Sequence, residues 1–120
     1  MLHLDEQQSI QNQVLLALHA LADYYVANIS HFTGDGRHDP EKRSPLHGSS
    51  KQGLYVGFLR SVIESIFRLN KWSSTSVLNK MAEAGALYAT ERGRHTKKVG
   101  VAGGQHRMIC VKWSALFPHE

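Results

Sequence analysis

The chain has 120 residues, of which 42% are apolar and 20% charged, and its formal net charge is +4 at pH 7. This length predicts one domain over residues 1–120, and the composition excludes the disordered and fibrous classes. No apolar run approaches the roughly 18 residues of a membrane span, and Asp5 and Glu6 stand where a secretory signal carries basic residues. We therefore expect a cytoplasmic protein with no membrane partner, in which the single Cys110 forms no internal disulfide.

The first predicted element is a long amphipathic helix. Apolar residues from Ile10 to Ile29 recur at three- and four-residue steps, which predicts a helix over about residues 5–30. Residues 31–53 follow as a long flexible loop rich in turn formers, either functional or a disordered connector. The aromatic residues Tyr24, Tyr25 and Trp72 are either core residues or anchors for a protein partner or homodimer bound through the first helix.

Two further helices are predicted close together. Leu54–Val56 reads as a brief strand, and the apolar period that begins at Phe58 predicts a helix over about 58–70. Ser73 is an N-cap type and Gly85 a natural left-handed stop, so a second helix is bracketed at about 74–84. With a turn of only residues 70–73 between them, these helices form a tight helix-turn-helix pair.

After Gly85 the pattern changes to short strand-like runs separated by glycines, at residues 86–90, 99–101 and 108–113. This part of the chain is also basic, because residues 92–112 contain six Lys or Arg residues and no acid. A basic β-hairpin after a helix pair is typical of a winged helix, in which the second helix meets a DNA groove and the wing meets phosphates. The predicted fold class is therefore α+β, of winged helix-turn-helix type.

This architecture assigns the candidate nucleic-acid contacts to the start and exposed side of the second paired helix and to the wing. They are Ser73, Ser74, Thr75, Asn79, Lys80, Arg92, Arg94, His95, Lys97, Lys98 and Arg107. Each has a plainer interpretation: the serines as helix caps, Asn79 and Lys80 as an exposed helix face, and the basic run as a solvated hairpin.

The stretch from Val77 to Leu87, the basic run after it, and Gly103 to Val111 carry a resemblance to a known family. Over about residues 60–115, they resemble the C-terminal module of phage- and integrative-element-encoded replicative helicase/primase proteins. The resemblance implies an auxiliary DNA-handling domain of a mobile element. The chain departs from that family in lacking a G-x-x-x-x-G-K-[ST] loop for ATP.

Catalysis and cofactors are not expected. No histidines form an H-x-x-x-H pair, although His31, His38 and His47 share the loop with Asp35 and Asp39 and offer a weakly specified ion site. Two hypotheses remain: a DNA-binding winged helix, or a protein-binding module such as a phage-encoded inhibitor of a host nucleic-acid enzyme. Both would use the same basic charges.

Overall fold

The computed structural model describes residues 2–38, 45–88, 95–101 and 104–119, with side chains from residue 12 onward. Its class is mixed α+β, as predicted. The helices are α1 (Leu2–Ala27), α2 (Arg60–Leu69), α3 (Ser74–Glu83) and α4 (Trp113–Leu116), with a 3-10 turn at Ile29–His31. The strands are β1 (Phe32–Gly34), β2 (Gly48–Lys51), β3 (Tyr55–Leu59), β4 (Lys97–Val101) and β5 (Gly104–Lys112).

The described strands form one curled sheet in the order β1-β2-β3-β5-β4. Only β1 and β2 run parallel; the other neighbouring strands are antiparallel. The helices cover one face, where Phe58 and Ile109 are fully buried in the main core. A smaller apolar cluster, built on Val99, Met108 and Cys110, occupies the opposite face, which we call the inner face.

The helix predictions hold closely, because they rest on local signals. The cap and stop around α3 behave as expected: Ser73 Oγ accepts the Ser76 N–H at 3.4 Å, and Gly85 has φ of 74°. The α2 helix begins at Arg60, two residues later than predicted, because Phe58 and Leu59 belong to β3. No helix in the described part of the chain is long and apolar enough to cross a bilayer.

The predicted loop over residues 31–53 is corrected at both ends. Phe32–Gly34 and Gly48–Lys51 are strands that pair with each other, and β2 also pairs with β3. Residues 39–44 lie outside the described residues. The strands arise from tertiary packing: Ser50 is 2% exposed beneath α1, and its buried Oγ is hydrogen-bonded to the Tyr25 hydroxyl at 2.7 Å.

The predicted hairpin is present as β4 and β5, which pair from Lys97–Met108 to Val101–Gly104. It belongs to the larger curled sheet, in which β5 also pairs along its length with β3. The predicted strand at residues 86–90 is reduced to a single described bridge between Leu87 and Val111, and residues 89 and 90 lie outside the described residues.

Candidate functional site

The exposed side of α3 meets the start of the β-hairpin. Asn79 Oδ1 and His95 Nε2 lie 2.7 Å apart, in a hydrogen bond that the imidazole donates when Nε2 carries the proton. Val77, Leu78 and Met81 bury the opposite side of α3 in the core, which fixes Asn79 outward. Two of the predicted contact residues, far apart in sequence, are therefore neighbours in the fold.

Three predicted hairpin cations lie among the described residues: Lys97, Lys98 and Arg107. They project to both faces of the sheet. Lys98 pairs with Arg107 across β4 and β5, and Arg107 alternates with the core residue Ile109, so both cations project to the helix side. Direct cross-strand partners have Cβ atoms about 5 Å apart, so these two charges are close together. We call Asn79, His95, Lys98 and Arg107, with the α3 start at 73–75, the hairpin–helix surface.

Lys97 projects to the inner face instead. Its Nζ lies 5.5 Å from the ring centroid of Tyr55 and 5.1 Å from that of Tyr88, within the range of cation–π attraction. The two tyrosine rings are stacked, with centroids 5.0 Å apart and an interplanar angle of 29°. Lys97 and Lys98 therefore lie on different faces, because neighbouring residues of a strand point to opposite faces.

The remaining predicted contacts differ in their surroundings. Lys80 is half-buried, and its Nζ donates to Gln13 Oε1, which joins α3 to α1. Ser73 caps α3, while Thr75 in the first turn is exposed. Arg92 and Arg94 lie outside the described residues.

Sequence reasoning missed a second set of residues on the inner face. Lys51, Tyr55 and Lys112 are direct cross-strand partners on β2, β3 and β5, so they form one row across the sheet. Lys51 falls in the predicted flexible loop, and Lys112 is one of the six cations of the basic stretch 92–112 without being a candidate contact. The alternation of Lys112 with Val111 and Trp113 did predict a two-faced strand, but no local pattern indicates which residues become its partners.

A histidine and tyrosine cluster lies beside β2. The rings of His31 and His47 are stacked at 4.3 Å, and His47 Nδ1 is 2.8 Å from the Tyr24 hydroxyl oxygen. His31 Nδ1 donates to the carbonyl of Pro45 at 2.9 Å. Among the described residues, no three His, Cys, Asp or Glu side chains come together as a metal site. Of the other residues in the predicted ion site, Asp39 lies outside the described residues.

This cluster predicts a pH dependence of stability. Burial, and secondarily the charge of His31, lower the pKa of His47 below its ordinary value. The unfolded chain therefore takes up the His47 proton first, and stability is lost as pH falls below about 6.5. We expect His47→Gln to show a smaller loss in the free energy of unfolding between about pH 7.5 and pH 5.5 than the wild type, measured by urea denaturation.

The matched control for this prediction is His19→Gln, which removes an exposed histidine of α1. Its pH dependence should match that of the wild type. Identical pH profiles for the wild type and His47→Gln would show that the stacked histidines do not couple folding to pH.

Cys110 is fully buried between strands. Burial raises the pKa of its thiol to about 11, so very little thiolate exists at neutral pH. Its position in the inner apolar cluster, beside Met108, gives it a packing role.

Comparison of the sequence with protein families and with curated proteins identifies no relative of this chain. No protein-family model matches the sequence, and a search of curated proteins gives no match.

Proposed function

We propose that this chain is a nucleic-acid-binding domain that contacts duplex DNA through the hairpin–helix surface. The Asn79–His95 hydrogen bond is the observation that supports this most directly, because it brings the polar side of α3 next to the cationic hairpin. Lys98 and Arg107 project on the same side of the sheet. Lys and Arg neutralise phosphates, and an Asn on a helix hydrogen-bonds an adenine edge.

In this proposal the chain is a winged helix-turn-helix built into a larger sheet. The α2–α3 pair, joined by residues 70–73, supplies the helix-turn-helix, and the β4–β5 hairpin supplies the wing. The resemblance over about residues 60–115 to the helicase/primase module covers these same elements. It suggests an auxiliary DNA-handling role in a mobile element, which would act in the cytoplasm.

A second candidate is a protein-binding module, and one observation favours it. Leu15 and Leu16 on α1 are 52% and 56% exposed, although both are large apolar residues. By contrast, Tyr25 is buried against Phe32, and Trp72 packs against Phe67, so these two aromatic residues act within the fold. A protein partner or a second copy of the chain would therefore engage α1 through its exposed leucines.

The DNA proposal is tested by fluorescence anisotropy with a short labelled duplex, titrated between about 50 and 200 mM salt. The variant is Lys98→Gln/Arg107→Gln, and the control is Arg68→Gln, which removes an exposed cation from α2. Each lost phosphate contact lowers the salt slope by about 0.9, so the double variant should lose about 1.8. Asn79→Ala should weaken binding with little change of slope, because its contact is not ionic.

Circular dichroism of each variant establishes that the fold is kept. No duplex binding by the wild type at low salt would exclude the DNA proposal. Equal slopes for the double variant and the wild type would exclude this surface. Either result would direct attention to partners of the exposed leucines on α1.

A further inference from the structure

A polar groove lies on the inner face of the sheet. It has a volume of about 520 Å³ and is lined by residues of β2 and β3 together with residues of β4. Since β2 and β4 are not neighbours in the sheet, only the curl brings them to one groove. The groove meets the hairpin–helix surface at Lys98, which also lines it, but Lys51, Tyr55 and Lys97 face away from the helices.

The lining combines cations with an aromatic ring. Lys51 and Lys97 line the groove on either side of Tyr55, and Lys112 continues the row from Lys51 through Tyr55. Two strand spacings separate Lys51 from Lys112, about 10 Å, so the two ammonium groups can reach successive phosphates. Within the described ranges no carboxylate forms an ion pair with Lys51 or Lys112.

One acidic residue, Asp35, belongs to the described lining. Its Oδ2 accepts the backbone N–H of Gln52, which satisfies part of its hydrogen-bonding capacity. It marks the end of the groove next to β1, where a polyanion is disfavoured. Asp35 is bonded to Ser50 and Gln52, on either side of Lys51, so the cations farther from it are Lys97 in the lining and Lys112, which lies beside Tyr55 and outside the lining.

We infer that the inner face binds single-stranded DNA, with phosphates at Lys51, Lys97 and Lys112 and a base stacked on Tyr55. A basic groove with an aromatic platform is the combination by which single strands are held without sequence readout. Lys97 lies over the Tyr55 and Tyr88 rings, which places its charge beside the ring on which a base would stack. The inference rests on the proposed function for its class of ligand, and it adds a second surface.

Together, the two surfaces would place duplex and single strand on opposite sides of the same β4–β5 hairpin. Such an arrangement fits a junction between duplex and unpaired DNA. Lys98 pairs with Arg107 on the helix side and is assigned to the duplex, whereas Lys97 is assigned to the single strand, although both lysines line the groove.

The test uses the full chain and two probes: a labelled oligothymidylate of about 15 nucleotides and the short duplex. Lys51→Gln/Lys112→Gln should lower the salt slope for the oligothymidylate by about 1.4, since each single-strand phosphate contributes about 0.7. Tyr55→Leu should weaken oligothymidylate binding at least about fivefold, and Tyr55→Phe should keep it, because stacking needs only the ring. Arg68→Gln should match the wild type.

Duplex affinity separates this inference from the proposed function. Inner-face variants that lose oligothymidylate binding but keep duplex binding support the inference. Oligothymidylate affinity unchanged by Tyr55→Leu and by the lysine variant overturns it, whatever the duplex result. If the wild type binds the oligothymidylate but no duplex, the proposed duplex surface is contradicted. The inner-face inference is then decided by the oligothymidylate affinities of Tyr55→Leu and Lys51→Gln/Lys112→Gln.

Discussion

Replacing Phe67 by alanine is expected to lower the free energy of unfolding by about 3–5 kcal/mol, the usual cost of removing a fully buried aromatic ring. Phe67 is 0% exposed at the end of α2. Its ring packs edge to face against that of Trp72, with the ring centroids 5.8 Å apart. Its backbone carbonyl accepts the backbone N–H of Trp72 at 2.9 Å. The residue thus joins α2 to the turn that positions α3, so duplex binding should weaken as well.

Leu69→Ala is the matched control, because Leu69 lies two residues away on the same helix and is 85% exposed. Its unfolding free energy, from urea denaturation, should stay within about 0.5 kcal/mol of the wild type. Similar losses for both variants would mean that Phe67 does not anchor the helix pair.

Gly48→Ala is expected to destabilise the protein by about 3 kcal/mol or more, because the added methyl group meets backbone. A Cβ at this position would overlap the carbonyl oxygen of Gly57 and lie 2.8 Å from Phe32 Cε2. Neither neighbour can move freely, since Gly57 pairs with Ser49 and Phe32 is fully buried. Relief would therefore require β2 to separate from β3.

The comparison for this variant is Gly100→Ala on β4, where a Cβ would meet no described atom within 4 Å. Thermal and urea unfolding should place Gly100→Ala within about 0.5 kcal/mol of the wild type. If Gly48→Ala were equally mild, the close approach of β2 to β3 would be disproved. Loss of inner-face binding in any partly folded Gly48→Ala protein is also expected, since Lys51 lies on the same strand.

The helices could be predicted from the sequence because their signals are local. The apolar period of α1 and the cap and stop around α3 act within a few turns of chain, and they gave α3 its observed start at Ser74. The β4–β5 hairpin was likewise visible from alternation and glycines. Of the candidate site, this reasoning identified Asn79, His95, Lys98 and Arg107.

The sequence by itself thus determined the helices, the hairpin and the location of the basic charge, since each depends on neighbours along the chain. Tertiary structure alone decided that Gly48-Ser49-Ser50 forms a strand, because the weak local preference of these residues is overcome by burial under Tyr25 of α1. It also decided which lysines share a face. Strand pairing aligned Lys51 and Lys112 with Tyr55, and the curl of the sheet brought Lys97 to the same groove. Register and curl depend on contacts between residues distant in sequence, and no local pattern encodes them.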